Sequence, residues 1–223
     1  MKSEKYKILN LYACLGGNRA KWDEVADIEV TAVELDLELA RMYKERFPND
    51  TVIVADAHQY LLDHYKEFDF IWTSPPCPSH SRARYWSSSN YDTTTEAIFP
   101  DMKLYEEILF LQHYYKTGKY VVENVIPYYN PLIPAQSRDR HLYWTNFTLP
   151  KDIRSRHFIE MCQAKNELKK LCDFHDYDFT QYKGDQSVIK IARNLVDYEA
   201  GKTILEHAFG CFKQSKITQA VLF

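Results

Sequence analysis

The sequence predicts an α/β fold: a doubly wound, mostly parallel sheet with helices on both faces, followed by a small irregular C-terminal region. Three observations carry this. Short apolar runs rich in Val, Ile and aromatics alternate with helical segments over the first two thirds of the chain. Successive runs end in small or acidic residues, where open α/β sheets bind ligands. Past Pro150 the alternation is lost.

The elements follow in order. Tyr6–Tyr12 is apolar enough for a buried strand, and Ile28–Val33 is a second. Asp36 is placed to cap a helix that runs to about Phe47, with Pro48 ending it. Thr51–Val54 is a third strand, followed by a helix near Ala57–Tyr65. Phe68–Thr73 is the fourth strand. A helix near Met102–Tyr115 is expected to stop at Gly118. Tyr120–Val122 and His141–Trp144 complete the strands, and a helical pattern returns around Tyr198–Phe209. Two regions result: a core over 1–150, and a reduced segment over 151–223 that packs on it.

Composition narrows the class. The chain has 223 residues, 45% hydrophobic and 26% charged, which suits a soluble globule. No run reaches the roughly 18 apolar residues of a membrane span. Met1–Lys5 leads into a strand and has no signal-peptide pattern, so a cytoplasmic location is expected. The five scattered cysteines do not form a disulfide framework. Cys162, Cys172 and His175 match no zinc spacing, so no metal is expected. Net charge is −3, so nucleic-acid binding would need a local basic patch.

The chemistry concentrates at strand ends. Asn10–Gly17 closes the first strand with Tyr12, Ala13 and the pair Gly16-Gly17, which let backbone approach a ligand. Glu34, followed by Leu35, ends the second strand, where an acid can accept from ribose hydroxyls. Asp56, followed by Ala57, follows the third and can accept from an adenine amino group. Together they describe a nucleoside pocket. A phosphate loop is absent. After the fourth strand comes Ser74-Pro75-Pro76-Cys77-Pro78, a thiol on a loop stiffened by prolines. Glu123-Asn124-Val125 ends the fifth strand and offers a carboxyl to the Cys77 loop. In Gln136-Ser137-Arg138-Asp139-Arg140, the two arginines at i and i+2 should share one side of an extended segment.

In this order the motifs resemble the cytosine carbon-5 DNA methyltransferase family, over about residues 6–147. Asn10–Gly17 is similar to its cofactor motif, Ser74-Pro75-Pro76-Cys77 to its nucleophile motif, Glu123-Asn124-Val125 to its Glu-Asn-Val motif, and Gln136, Arg138 and Arg140 to its Gln-x-Arg-x-Arg motif. The resemblance implies DNA methylation, as in restriction–modification. S-adenosylmethionine would be bound by Asn10, Tyr12, Ala13, Gly16, Gly17, Glu34, Leu35, Asp56, Ala57 and Pro75, and would leave as S-adenosylhomocysteine. It also implies Cys77 as nucleophile, Glu123 as acid, Arg140 on the base carbonyl and Arg138 supporting the loop. DNA contacts would come from Ser79, Ser81, Arg82, Arg84 and Gln136. Departures are Asn10 for an Asp, Cys14 for a Gly and Pro78 for a Gln, with Gln214–Ile217 as a vestige of the closing motif. Two alternatives stand beside DNA: the same chemistry on tRNA, and a split enzyme or accessory DNA-binding subunit whose target recognition comes from a second polypeptide.

Overall fold

A computed structural model describes residues 5–82, 99–156 and 165–210. Seven strands form one sheet: β1 Tyr6–Leu11, β2 Ile28–Glu34, β3 Thr51–Val54, β4 Phe70–Thr73, β5 Lys119–Val125, β6 Gln136–Arg138 and β7 His141–Thr145. Their spatial order is β3-β2-β1-β4-β5-β7-β6. The first five run parallel, whereas β7 lies antiparallel to β5, and β6 to β7. The order reverses between β1 and β4, and the crevice above such a reversal is where open sheets place ligands.

Alternation along the strands sorts side chains onto two faces. Leu9, Leu11, Ile71 and Val122 pack under the helices α2 (Ala57–His64) and α3 (Lys103–Tyr114). Their neighbours Ile8, Phe70, Trp72 and Val121 turn the other way, against Trp22 and the C-terminal helix. Asp36 caps α1 (Leu37–Arg46) by accepting from the N–H groups of Glu38 and Leu39. Asp56 caps α2 by accepting from Gln59 N–H.

The C-terminal segment is more regular than its sequence suggests. It forms α4 (Glu167–His175), α5 (Val188–Asn194) and α6 (Tyr198–Ala208). The first two are only 9 and 7 residues long, too short to show a clear period. Leu171, Phe179, Ile191 and Leu195 bury Leu15, Leu39 and Met42 of the preceding core. Trp22 Nε1–H donates to the Gly201 carbonyl at 3.2 Å, tying α6 to the 3-10 segment Asn18–Glu24.

Other boundaries move for identifiable reasons. The helix after Gly17 is 3-10 and not α. Helix α3 ends at Tyr114, so Gly118 is not its stop. A Cβ on Gly118 would lie 2.2 Å from the Asp69 carbonyl, so that glycine admits close backbone approach beside β4. β5 extends to Val125, placing Glu123-Asn124-Val125 inside a strand. Among the described residues, no helix is long and apolar enough to cross a membrane, and no group of three or more His, Cys, Asp or Glu could hold a metal ion.

Candidate active site

A cleft of about 480 Å³ opens at the carboxyl ends of β1, β2 and β3, within the range of small-molecule sites. Tyr12 follows β1, Glu34 and Leu35 close β2, and Asp56 and Ala57 follow β3. Pro75, Pro76 and His80 come from the loop after β4, and Asp101, Lys103 and Leu104 from the start of α3. Gln186 reaches in from the C-terminal segment, where its side-chain N–H donates to Asp36 Oδ2 at 2.8 Å. Sequence reading did not single out Gln186 or His80. No local signal marks the first, because tertiary packing alone brings it there.

Glu34 lines the cleft with a partly satisfied carboxylate. Its Oε2 accepts from Cys14 N–H at 2.7 Å and its Oε1 from Asp36 N–H at 2.9 Å. Burial raises its pKa against the pull of those donors. Each oxygen keeps a lone pair for a further donor. Asp56 stays half-exposed, with its pKa lowered mainly by the Gln59 N–H. Lys103 lies 3.7 Å from it. The lining carries four carboxylates against that one lysine, a balance suited to a cationic ligand.

Four of the residues expected to hold the cofactor, Asn10, Ala13, Gly16 and Gly17, do not line the cleft. Asn10 is buried and paired with Asn18, whose Nδ2–H donates to Asn10 Oδ1 at 2.8 Å. Ala13 packs with Ala32 and Tyr43. Gly16 has φ +66°, and a Cβ there would strike Phe47 and Tyr43. A Cβ on Gly17 would lie 2.2 Å from the Val196 carbonyl. These glycines let α1 and the C-terminal segment close on the turn. Cys14 occupies φ +46°, the left-handed conformation that favours glycine.

The Cys77 loop lies beside β5. Asn124 Nδ2–H donates to the Pro75 carbonyl at 2.9 Å, and Cys77 accepts through its own carbonyl from His80 and Ser81 N–H at 3.0 Å. Burial pushes the Cys77 thiol up to about 11, and the neighbouring Glu123 carboxylate adds to the rise. Glu123 is mostly buried, with His141 Nε2 at 3.3 Å from its Oε1. The thiol and the carboxyl therefore lie together near the carboxyl ends of β4 and β5; neither lines the cleft, but Pro75 and Pro76 of the Cys77 loop do.

The residues after Glu123 behave differently from expectation. β6 and β7 are joined by a two-residue turn, Asp139-Arg140, with Asp139 at φ +51°. Arg138 is therefore in the strand and Arg140 in the turn, and the two do not share a strand face. Arg138 donates to the carbonyls of Pro150 (2.5 Å), Leu149 (2.9 Å) and Ser137 (2.7 Å). It holds the chain after β7 and does not support the Cys77 loop. Gln136 donates to Thr145 Oγ1 at 2.7 Å and to the Phe147 carbonyl, and accepts from Leu149 N–H. Both N–H groups and the carbonyl of that amide are thus engaged within the chain. Ser79 Oγ accepts from Asp101 N–H, Ser81 pairs with Pro127, and Arg82 Nε–H donates to the Pro127 carbonyl. Arg84 and Gln214–Ile217 lie outside the described residues.

A family model described as C-5 cytosine-specific DNA methylase matches residues 6–125, more than half of the chain. This protein belongs to the C-5 cytosine-specific DNA methylase family. The match runs from the start of β1 through Glu-Asn-Val and takes in the Cys77 loop and every residue lining the cleft except Gln186. No curated protein matches the chain. Among solved structures, the methyltransferase EhMeth of Entamoeba histolytica aligns over 95% of this chain and 100% of its own, at 11% identity and TM-score 0.55. That similarity is one of fold, a Rossmann-like methyltransferase fold. DNMT2 of Spodoptera frugiperda is 26% identical over 54% of this chain and 36% of its own, with TM-score 0.40. The chain thus spans about a third of the length of the DNMT2 chain.

Proposed function

We propose that this chain transfers a methyl group from S-adenosylmethionine to carbon 5 of cytosine in DNA, through a transient bond between Cys77 and carbon 6. The observation that carries the reading is the meeting of Cys77 and Glu123 beside the acidic cleft, with Asn124 fastening one strand to the other's loop. Membership of a family described by DNA favours DNA as substrate.

The cleft fits the methyl donor. Glu34 has lone pairs for ribose hydroxyls, Asp56 has an exposed carboxylate for an amino group, and Leu35, Ala57, Pro75 and Leu104 offer apolar surface to a base. Excess carboxylate suits a ligand with a sulfonium and an ammonium. When bound, the donor supplies an electrophilic methyl and leaves as the neutral thioether of S-adenosylhomocysteine.

The residues act on the pyrimidine. Cys77 Sγ, as thiolate, bonds to carbon 6, and the displaced electrons make carbon 5 nucleophilic. Glu123 gives a proton or hydrogen bond to ring nitrogen 3, stabilising the charge that develops there; such help is worth roughly 10²–10⁴ in rate. After carbon 5 takes the methyl, its proton leaves, the Sγ–C6 bond breaks and the ring regains aromaticity. A stacked base is out of reach, so the nucleotide is extruded or already single-stranded.

The test is covalent trapping on duplex DNA carrying 5-fluorocytosine, with labelled S-adenosylmethionine. The wild type and Cys14→Ser should form the adduct, and Cys77→Ser should not. An adduct that survives Cys77→Ser would end the reading. Label entering total tRNA and not DNA would replace the substrate. Methylation that waits for a second polypeptide would support the split-enzyme alternative.

A further inference from the structure

Glu123 faces a basic side chain that lies outside the Gln-x-Arg-x-Arg motif. β7 runs antiparallel to β5 with Glu123 opposite Tyr143 and Val125 opposite His141. Opposed residues share a face, and the diagonal neighbour lies within reach of long side chains. His141 uses that diagonal and brings Nε2 to 3.3 Å from Glu123 Oε1. Its ring also meets Tyr143 edge-on at 6.3 Å, which limits its rotation. Arg138, the residue just before the turn, is occupied by three backbone carbonyls.

We propose that His141 is a positioning residue for Glu123, holding Oε1 so that the other oxygen meets ring nitrogen 3 of the target cytosine. The assignment rests on the cytosine-methylation reading above and deepens it. Histidine suits this place for a chemical reason. A permanently charged guanidinium would favour the ionised carboxylate, which has no proton to give. An imidazole places a ring nitrogen against Oε1 and, packed edge-on against Tyr143, limits the carboxyl's choice of rotamer.

The experiment measures single-turnover methyl transfer to duplex DNA for His141→Phe and His141→Gln, each alone and combined with Glu123→Gln. His141→Phe keeps a ring beside Tyr143 and removes the donor. It should lower the transfer rate about tenfold with the KM for S-adenosylmethionine unchanged, and His141→Gln should recover most of the loss. On the Glu123→Gln background neither change should cost more, because the group being positioned is already gone. Should His141→Phe fail to fold by circular dichroism, His141→Leu is read in the same way. An unchanged rate in the Phe variant would overturn the proposal, as would an equal loss in both backgrounds. If the wild type forms no adduct on 5-fluorocytosine, the methylation reading and this proposal fall together; an adduct indifferent to His141 removes this proposal alone.

Discussion

The phenol of Tyr12 donates to Glu107 Oε1 at 2.6 Å, joining the cleft wall to the middle of α3. Glu107 is fully buried and also accepts from Thr73 Oγ1 at 2.6 Å, while His58 Nδ1 lies 3.2 Å away. One carboxylate thus fixes the residue after β1, the last residue of β4 and the first turn of α2. Tyr12 stands at φ +54°, a conformation rarely held by a bulky residue without support. Tyr12→Phe should lower stability by about 0.5–1.5 kcal/mol and raise the KM for S-adenosylmethionine more than it changes kcat. Urea unfolding with steady-state kinetics checks this. A KM equal to that of the wild type would separate the network from ligand binding.

The same carboxylate gives His58 a pH signature. Its hydrogen bond to Glu107 raises the His58 pKa in the folded chain. The pair's contribution to stability is therefore complete below the ordinary histidine value of about 6.5 and is lost as pH rises through the higher folded value. The stability difference between wild type and His58→Gln should shrink with rising pH across that window, and added salt should reduce it, because His58 is partly exposed. Urea denaturation at a series of pH values reads it.

Cys77 should alkylate slowly at neutral pH. With the thiol near 11, the thiolate fraction grows about tenfold per pH unit until that value is approached. Burial is the leading cause and Glu123 the second, so Glu123→Gln should move the profile to lower pH without returning it to that of an exposed cysteine. Iodoacetamide labelling followed by mass spectrometry measures both curves. A flat wild-type profile between pH 7 and 9 would contradict the burial account.

Gln136 and Arg138 should prove structural. Gln136→Ala strands Leu149 N–H and the Thr145–Phe147 edge, at a cost of about 1–3 kcal/mol. Arg138→Ala releases the carbonyls of Leu149 and Pro150. Both should lower Tm by several degrees, while the salt dependence of DNA binding keeps its slope. Melting curves and salt titrations decide between this and a phosphate-contact role, which would reduce the slope.

Much of the fold was legible along the chain. The sequence by itself determined the parallel sheet, because buried strands must be near-continuous apolar runs and helices must show a cap or a stop: Asp36, Asp56 and Pro48 mark their boundaries locally. It also determined the order of chemistry-bearing residues at strand ends, since Glu34, Asp56 and Cys77 each follow an apolar run. Tertiary structure alone decided what each side chain faces. Asn10 turns inward to Asn18, Gly17 admits Val196 from far along the chain, and Gln186 reaches the cleft from the C-terminal segment. The two-residue turn at Asp139 separates Arg138 from Arg140 and brings His141 to Glu123. Periodicity reports which residues are apolar or extended, whereas the partner of a polar group depends on register and on segments distant in sequence, which only the folded chain brings together.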